Sequence, residues 1–257
     1  MRPIWSGSIS FGLVNIPVKL ISAVQSEDLN FDMLSKEMAP IRYARIDTKT
    51  DKEVAWKDIV KGYEYTKGKY VIIDDEDFKK ASPEKTHSID IVQFVKQEEI
   101  EPVYYEKPYY IIPGKGGEKP YRLLLKALEA SGTMGIAEFM LRNRAHVSAV
   151  KVFKDVLLLQ QMRYMEEIRE APEMDVKNEK ITDKELQLAM KLVEQLTEKF
   201  DPSAFKDTYI EELKKVIKAK AAGKSISIAE EPKKATGAVK DLMEVLKQSL
   251  EKGKKRA

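Results

Sequence analysis

The chain has 257 residues, 43% hydrophobic and 34% charged, with a formal net charge of +3, long enough for one sizeable core with appendages. It contains no cysteine, which excludes disulfides, thiolate nucleophiles and the usual structural zinc sites, and favours a reducing compartment. No stretch approaches the roughly 18 apolar residues of a membrane span, and no apolar run of signal-peptide length follows Arg2, so a cytoplasmic protein without membrane contact is expected.

The opening WSGSISF alternates Ser6, Ser8 and Ser10 with Gly7, Ile9 and Phe11. A two-residue period predicts a strand with one small polar face and one apolar face. Ile16, Val18 and Leu20 continue the alternation. Asn15-Ile16-Pro17 marks a strand start or an edge, because proline cannot donate to a ladder. In KGYEYTKGKYVIIDDEDF, Tyr63 and Tyr65 alternate, Lys67-Gly68 turns and Tyr70 to Ile73 returns, which predicts a hairpin. SIDIVQFV and KPYYIIP predict further strands. The strand spacing over residues 1–115 suggests a sandwich or a barrel.

A helix is predicted from Pro120, a residue pre-shaped for the first helical position. Tyr121, Leu124, Leu125 and Leu128 share one face, and Gly132 is a natural stop. GIAEFMLRNR, HVSAVKVF and DVLLLQQMRY then predict three more strands, with Lys154-Asp155 turning between the last two. The chain changes character near Pro172. Thr182 and Glu185 form a capping-box pair, and Leu186, Ala189, Met190, Val193, Leu196 and Phe200 follow helical spacing until Asp201-Pro202. A second helix carries Ile210, Leu213, Val216 and Ile217 and stops at Gly223. KSISIAEEPKKATG is a linker by composition. Val239, Leu242, Met243, Leu246 and Leu250 form a last amphipathic stripe, too short to stand alone in water, which packs on the body or awaits a partner. Residues 213–257 hold 13 Lys/Arg against 5 Asp/Glu. Such a tail suits a polyanionic partner, with a merely solvated lysine-rich tail as the alternative.

The search for catalytic chemistry is nearly empty. His87 and His146 are the two histidines, far apart in sequence, and a lone histidine is more often structural than catalytic. A Ser-His-Asp arrangement stays open on residue types alone, but no GxSxG elbow occurs. GKGGEK at Gly114 to Lys119 fails the Walker spacing; it reads as a glycine-rich loop or as a backbone-phosphate contact at a helix start. Asp74, Asp75, Glu76 and Asp77 read as a solvated turn or helix start rather than a cation site. Among the basic residues, Arg42 and Arg45 flank Tyr43 with Lys49 and Lys52 beyond, and Arg142 and Arg144 sit together in LRNRAH. Together they offer a phosphate-contacting surface.

WSGSISFGLVNIPVKL, DIVKGYEYTKGKYVIIDDEDF and KPYYIIPGKGGEKPYRLLLKALEASG resemble the bacterial Ku family in wording and order. The likeness covers roughly the first 200 residues. It implies a mainly β fold with α: a Ku-type β-barrel core whose extended arm builds a dimeric ring, followed by a helical C-terminal region. The corresponding division is 1–172 for barrel and arm, 173–223 for a helical segment packing on the core or on the dimer partner, and 224–257 for linker, short helix and basic tail. It further implies a non-enzymatic homodimer, without cofactor or metal, that binds double-stranded DNA ends in the bacterial nucleoid. That dimer protects and bridges the ends and recruits DNA ligase D in non-homologous end joining. An adaptor acting mainly through its last helix, with incidental DNA contact, is the alternative, and an uncharacterised hydrolase is a more distant one.

By comparison with the family, Arg42, Arg45 and Lys49 lie in or near the arm, and Arg142 and Arg144 lie by a strand end facing the channel. Lys36, Lys52, Lys115 and Lys119 are further candidates for phosphate contact. Lys254, Lys255 and Arg256 are expected as DNA contacts of the tail, and the Val239–Leu250 stripe as the partner surface. Many relatives carry cysteines near RIDTKTDKEV; this sequence has Asp47 and Asp51 there, so metal or redox roles of those cysteines do not carry over. The resemblance makes WSGSISF the first strand of the ring core. Its serines are short either for close approach of DNA or another backbone, or because they line a tightly covered face.

Overall fold

The structure, a computed structural model, describes residues 2–81, 87–142, 144–172 and 181–224, together with Val245, Leu246 and Ser249. The chain divides into two compact units, residues 1–171 and 172–257.

Seven strands of the first unit close into a barrel in the order β1-β2-β6-β9-β8-β7-β5. They are β1 (Trp5–Phe11), β2 (Val14–Ser22), β5 (Ser88–Lys96), β6 (Tyr105–Pro113), β7 (Thr133–Leu141), β8 (Arg144–Phe153) and β9 (Val156–Met162). Every neighbouring pair is antiparallel except the seam, where Ser8, Ile9 and Ser10 of β1 lie parallel to Ser88, Ile89 and Asp90 of β5. A closed sheet has one inner face, so each strand contributes alternate residues to one core. Ile9, Ile16, Leu20, Ile89, Ile111, Leu157, Leu159 and Val150 are completely buried. The alternation read in the sequence is this inward set.

Proline at position 17 is reconciled by register. Pro17 is the fourth residue of β2 and lies opposite Ser8 of β1, so it neither starts the strand nor lies on an edge strand. On its other side β6 has already ended, since their pairing begins at Val18 opposite Pro113. Only the Pro17 carbonyl is used there, accepting from the Gly114 N–H at 2.7 Å. Gly7 is also fixed by packing: a Cβ there would overlap the His87 carbonyl oxygen and the ring of Trp5.

Helix α2 (Glu118–Ser131) begins two residues before the position expected from Pro120 and ends at Gly132, whose φ of 64° supplies the left-handed cap. It packs Tyr121, Leu124 and Leu128 into the barrel core. The Tyr121 hydroxyl donates to the Ile111 carbonyl at 2.7 Å and accepts from the Leu157 N–H at 2.8 Å. Ile111 and Leu157 are paired across β6 and β9; the hydroxyl therefore completes the ladder where those strands separate.

The register also defines two ends of the barrel. One gathers the start of β1, the end of β2, the starts of β5, β6 and β8 and the ends of β7 and β9. The chain leaves the barrel here after Ser22 and returns at Ser88. The segment between holds the hairpin β3 (Lys61–Thr66) and β4 (Lys69–Ile73), a two-stranded sheet of its own, then helix α1 (Asp75–Ala81). The opposite end carries the β1–β2 turn, the loop before α2 and the Lys154-Asp155 turn.

The second unit has α3 (Asp183–Leu196) and α4 (Thr208–Ala221). The Thr182–Glu185 capping box forms, with Glu185 N–H donating to the Thr182 hydroxyl at 3.3 Å and Thr182 N–H to the Glu185 carboxylate at 2.7 Å. Helix α3 stops at Leu196, before the expected Asp201-Pro202. Leu186, Met190, Val193 and Leu196 are exposed, whereas Leu188 and Leu192 are half-buried.

Candidate nucleic-acid interface

The segment from Ser22 to Ala81 contains no buried residue among those whose burial is described. Its shape comes from successive local turns. Leu34 bridges to Pro40, closing a loop that carries Lys36, with Ser35 N–H donating to the Ala39 carbonyl at 2.8 Å. Ile46 bridges to Glu53, closing a second loop that carries Lys49 and Lys52. One Asp47 carboxylate oxygen accepts from the N–H groups of Lys49 at 2.7 Å and Thr50 at 3.1 Å. Aspartate is suited to this task because its short side chain bonds its own backbone two residues on. Those donors hold its carboxyl below the ordinary carboxylate range. Glu64 caps Gly68 in the hairpin turn, and Asp74 caps Glu76 and Asp77 at the start of α1. The acidic run is therefore a helix start.

Several carboxylates of the arm are thus oriented toward backbone donors, while Lys61 and Lys80 pair with Asp75 and Asp77. Lys36, Arg42, Arg45, Lys49 and Lys52 are all exposed. Arg45 is the one with a defined side-chain contact: its guanidinium carbon lies 4.5 Å from the centre of the Trp56 ring. Trp56 opens a 3-10 turn (Trp56–Asp58). It reaches Arg45 because Val54 N–H donates to the Arg45 carbonyl at 2.8 Å. Beside it a groove of about 380 Å³, lined by Trp56, Ile59, Val60, Ile72 and Ile73 among others, separates the turn from the hairpin.

Arg142 and Arg144 lie at the barrel end from which this arm departs. Arg142 is exposed in the β7–β8 turn with a φ of 52°. Arg144 opens β8 rather than closing β7, and it is not a free cation: it donates to Glu167 at 2.8 Å. Close by, inside the barrel mouth, Gln161 links three strands. Its amide nitrogen donates to Glu106 at 2.8 Å and approaches His146 Nδ1 at 3.2 Å, and its amide oxygen accepts from Tyr109 at 3.4 Å. Burial first, then the Arg144 charge, push the His146 pKa below its ordinary value. His146 is thus a structural member of a polar network.

Lys115 and Lys119 are exposed at the opposite end of the barrel. Their loop is held by close packing on Pro17: a Cβ at Gly117 would stand 2.6 Å from the Pro17 carbonyl oxygen. The structure brings these two lysines together with each other and not with the arm. The outward face of β1 pairs Ser6 with Lys19 and Ser10 with Asn15, and Ser8 and Ser10 lie beside Ser88 and Asp90. The polar serine face therefore looks outward from the barrel. Lys254, Lys255 and Arg256 lie outside the described residues, as do Val239, Leu242, Met243 and Leu250. Leu246 is helical and half-buried.

Residues 10–188 match the family model described as the Ku70/Ku80 beta-barrel domain. The chain belongs to the Ku family. Three relatives named Non-homologous end joining protein Ku are similar over nearly its whole length. That of Opitutus terrae is 42% identical, over 97% of this chain and 91% of the relative. That of Coxiella burnetii is 40% identical, over 99% and 96%. That of Archaeoglobus fulgidus is 42% identical, over 98% and 99%. The Ku match runs from the end of β1 through the remaining barrel strands and the arm to the first turns of α3. Within this Ku arm, residue-by-residue reading did not single out Lys57, Lys67 and Lys69, which are exposed as well. Lys67 was legible only as a turn residue. It also missed Trp56, whose relation to Arg45 depends on the pairing of residues 45 and 54.

Proposed function

We propose that this chain binds the ends of double-stranded DNA without regard to sequence, as a homodimeric ring. It holds and protects those ends for non-homologous end joining and recruits DNA ligase D to them. It carries out no chemistry of its own. One observation carries the reading: a Ku arm with no buried residue among those whose burial is described, and with exposed cations along its turns. An isolated two-stranded hairpin is marginal in water, and both faces of β3–β4 are exposed. A second copy of the chain is the natural cover, and a two-fold pairing of arms closes a ring. Binding that ignores sequence needs contacts to phosphates rather than base edges. Arg42, Arg45, Lys36, Lys49 and Lys52 supply them from the arm, with Arg142 at its root. Arg144 joins them only if Glu167 releases it, and Lys115 and Lys119 form a separate outlying pair.

Topology provides the test. The protein should load on a linear duplex and fail on a covalently closed circle of the same sequence; equal binding to both overturns the ring. Affinity should fall by about 10³–10⁵ between roughly 50 and 200 mM salt if six to ten phosphates are contacted. Arg42→Glu with Arg45→Glu should weaken binding to linear duplex while sedimentation still reports a dimer. Unchanged affinity removes both residues from the site.

A further inference from the structure

We infer that Trp56 is a positioning residue for Arg45, holding its guanidinium ready for a DNA phosphate, an inference that rests on the reading of the arm as the DNA contact. Trp56 is a large aromatic residue left 73% exposed, where burial does not explain it. Its ring is covered on one side by the Arg45 guanidinium, 4.5 Å from its centre. Among the described residues, no carboxylate or backbone oxygen accepts from the Arg45 side chain. The contrast with Arg144, tied to Glu167 at 2.8 Å, is direct: one arginine is neutralised and the other is oriented without being neutralised.

The chemistry of the two groups makes this arrangement productive. Stacking uses the flat face of the guanidinium, whereas its five N–H donors point outward in its plane. Arg45, held over an indole and without a carboxylate partner among the described residues, keeps N–H donors for a phosphate. A free arginine must also lose its rotamer freedom when it binds, and a stacked one has already lost part of it. The backbone fixes the geometry: Val54 N–H to the Arg45 carbonyl at 2.8 Å, the Ile46–Glu53 bridge, and the Asp47 cap of the intervening turn. The pair therefore does not depend on chance side-chain encounters.

The experiment is a double-mutant cycle on a short linear duplex, with the salt slope measured for each protein. Arg45→Ala should weaken binding and flatten the slope by about 0.9 for each phosphate that is no longer neutralised. Trp56→Leu keeps apolar bulk and removes the aromatic face; it should weaken binding about two- to five-fold per copy, the worth of an exposed cation–π pair, with the slope unchanged. Trp56→Phe should restore most of the affinity. In the Arg45→Ala background Trp56→Leu should cost nothing further. Sedimentation and thermal unfolding confirm that the variants keep their assembly and fold. An equal cost of Trp56→Leu in both backgrounds overturns the inference, because Trp56 then acts by itself. No effect of Arg45→Ala overturns instead the placing of Arg45 on DNA, and the inference with it.

Discussion

The barrel and the arm are made of similar residues put to opposite uses. Tyr109 and Tyr121 of the barrel unit are buried and their hydroxyls have protein partners, whereas Tyr43, Tyr63, Tyr65 and Tyr70 of the arm are exposed. The barrel is held by hairpins and by pairings between strands far apart in sequence, all sharing one inner face. The arm is held by turns that each close within a few residues and by side-chain caps on their backbones. Apolar content therefore does not foretell burial; closure of the sheet does. An exposed arm can meet a large, charged partner because it has spent none of its surface on a core.

The two regions should differ most sharply in what a core substitution does. Ile111→Ala or Leu157→Ala should destabilise the protein by about 2–5 kcal/mol, read as a lowered midpoint in chemical denaturation. Tyr65→Ala in the arm should lie within about 0.5 kcal/mol of wild type under conditions that keep the chain monomeric. A large effect of Tyr65→Ala there would mean that the arm packs on a core after all. Tyr121→Phe comes next. It leaves the Leu157 N–H and the Ile111 carbonyl without their bridge, at a cost of about 1–3 kcal/mol, and hydrogen exchange should quicken at Leu157 before it does elsewhere in β9.

The pH response separates the two regions more gently. His146 has a folded pKa below its ordinary 6.5, so the unfolded chain takes up its proton first. Its contribution to stability is complete above about pH 6.5 and is lost as the pH falls from there toward the folded pKa. His146→Gln should remove that part of the acid-side decline in thermal midpoint. Asp47 titrates lower. Its folded pKa is depressed, so the turn it caps is favoured above the ordinary carboxylate range and loses that support as the pH falls through the folded value. Asp47→Ala should leave the barrel's melting unchanged and raise amide exchange only at Lys49 and Thr50. This is the smallest expected effect, and its confinement to the arm is what checks the separation.

Much was legible in the residues themselves. Period-two alternation gave β1, β2, β5 and β6, turn chemistry gave the Lys67-Gly68 hairpin and the Gly132 stop, and the Thr182–Glu185 pair gave the start of α3. These signals are local: each rests on residues within one turn or one strand of each other, where sterics and capping act without the rest of the chain. The likeness of long blocks to Ku supplied the family. Tertiary structure alone decided which strands neighbour which, that β1 and β5 run parallel at the seam, and that Pro17 sits where β6 has ended. It also decided that Arg142 and Arg144 stand at the root of the arm while Lys115 and Lys119 stand at the far end. Two arginines that read alike, Arg45 and Arg144, part company for the same reason. One meets an indole across a local turn of the arm and the other a carboxylate beyond the end of β9, and neither partner is marked by the residues that flank the arginine.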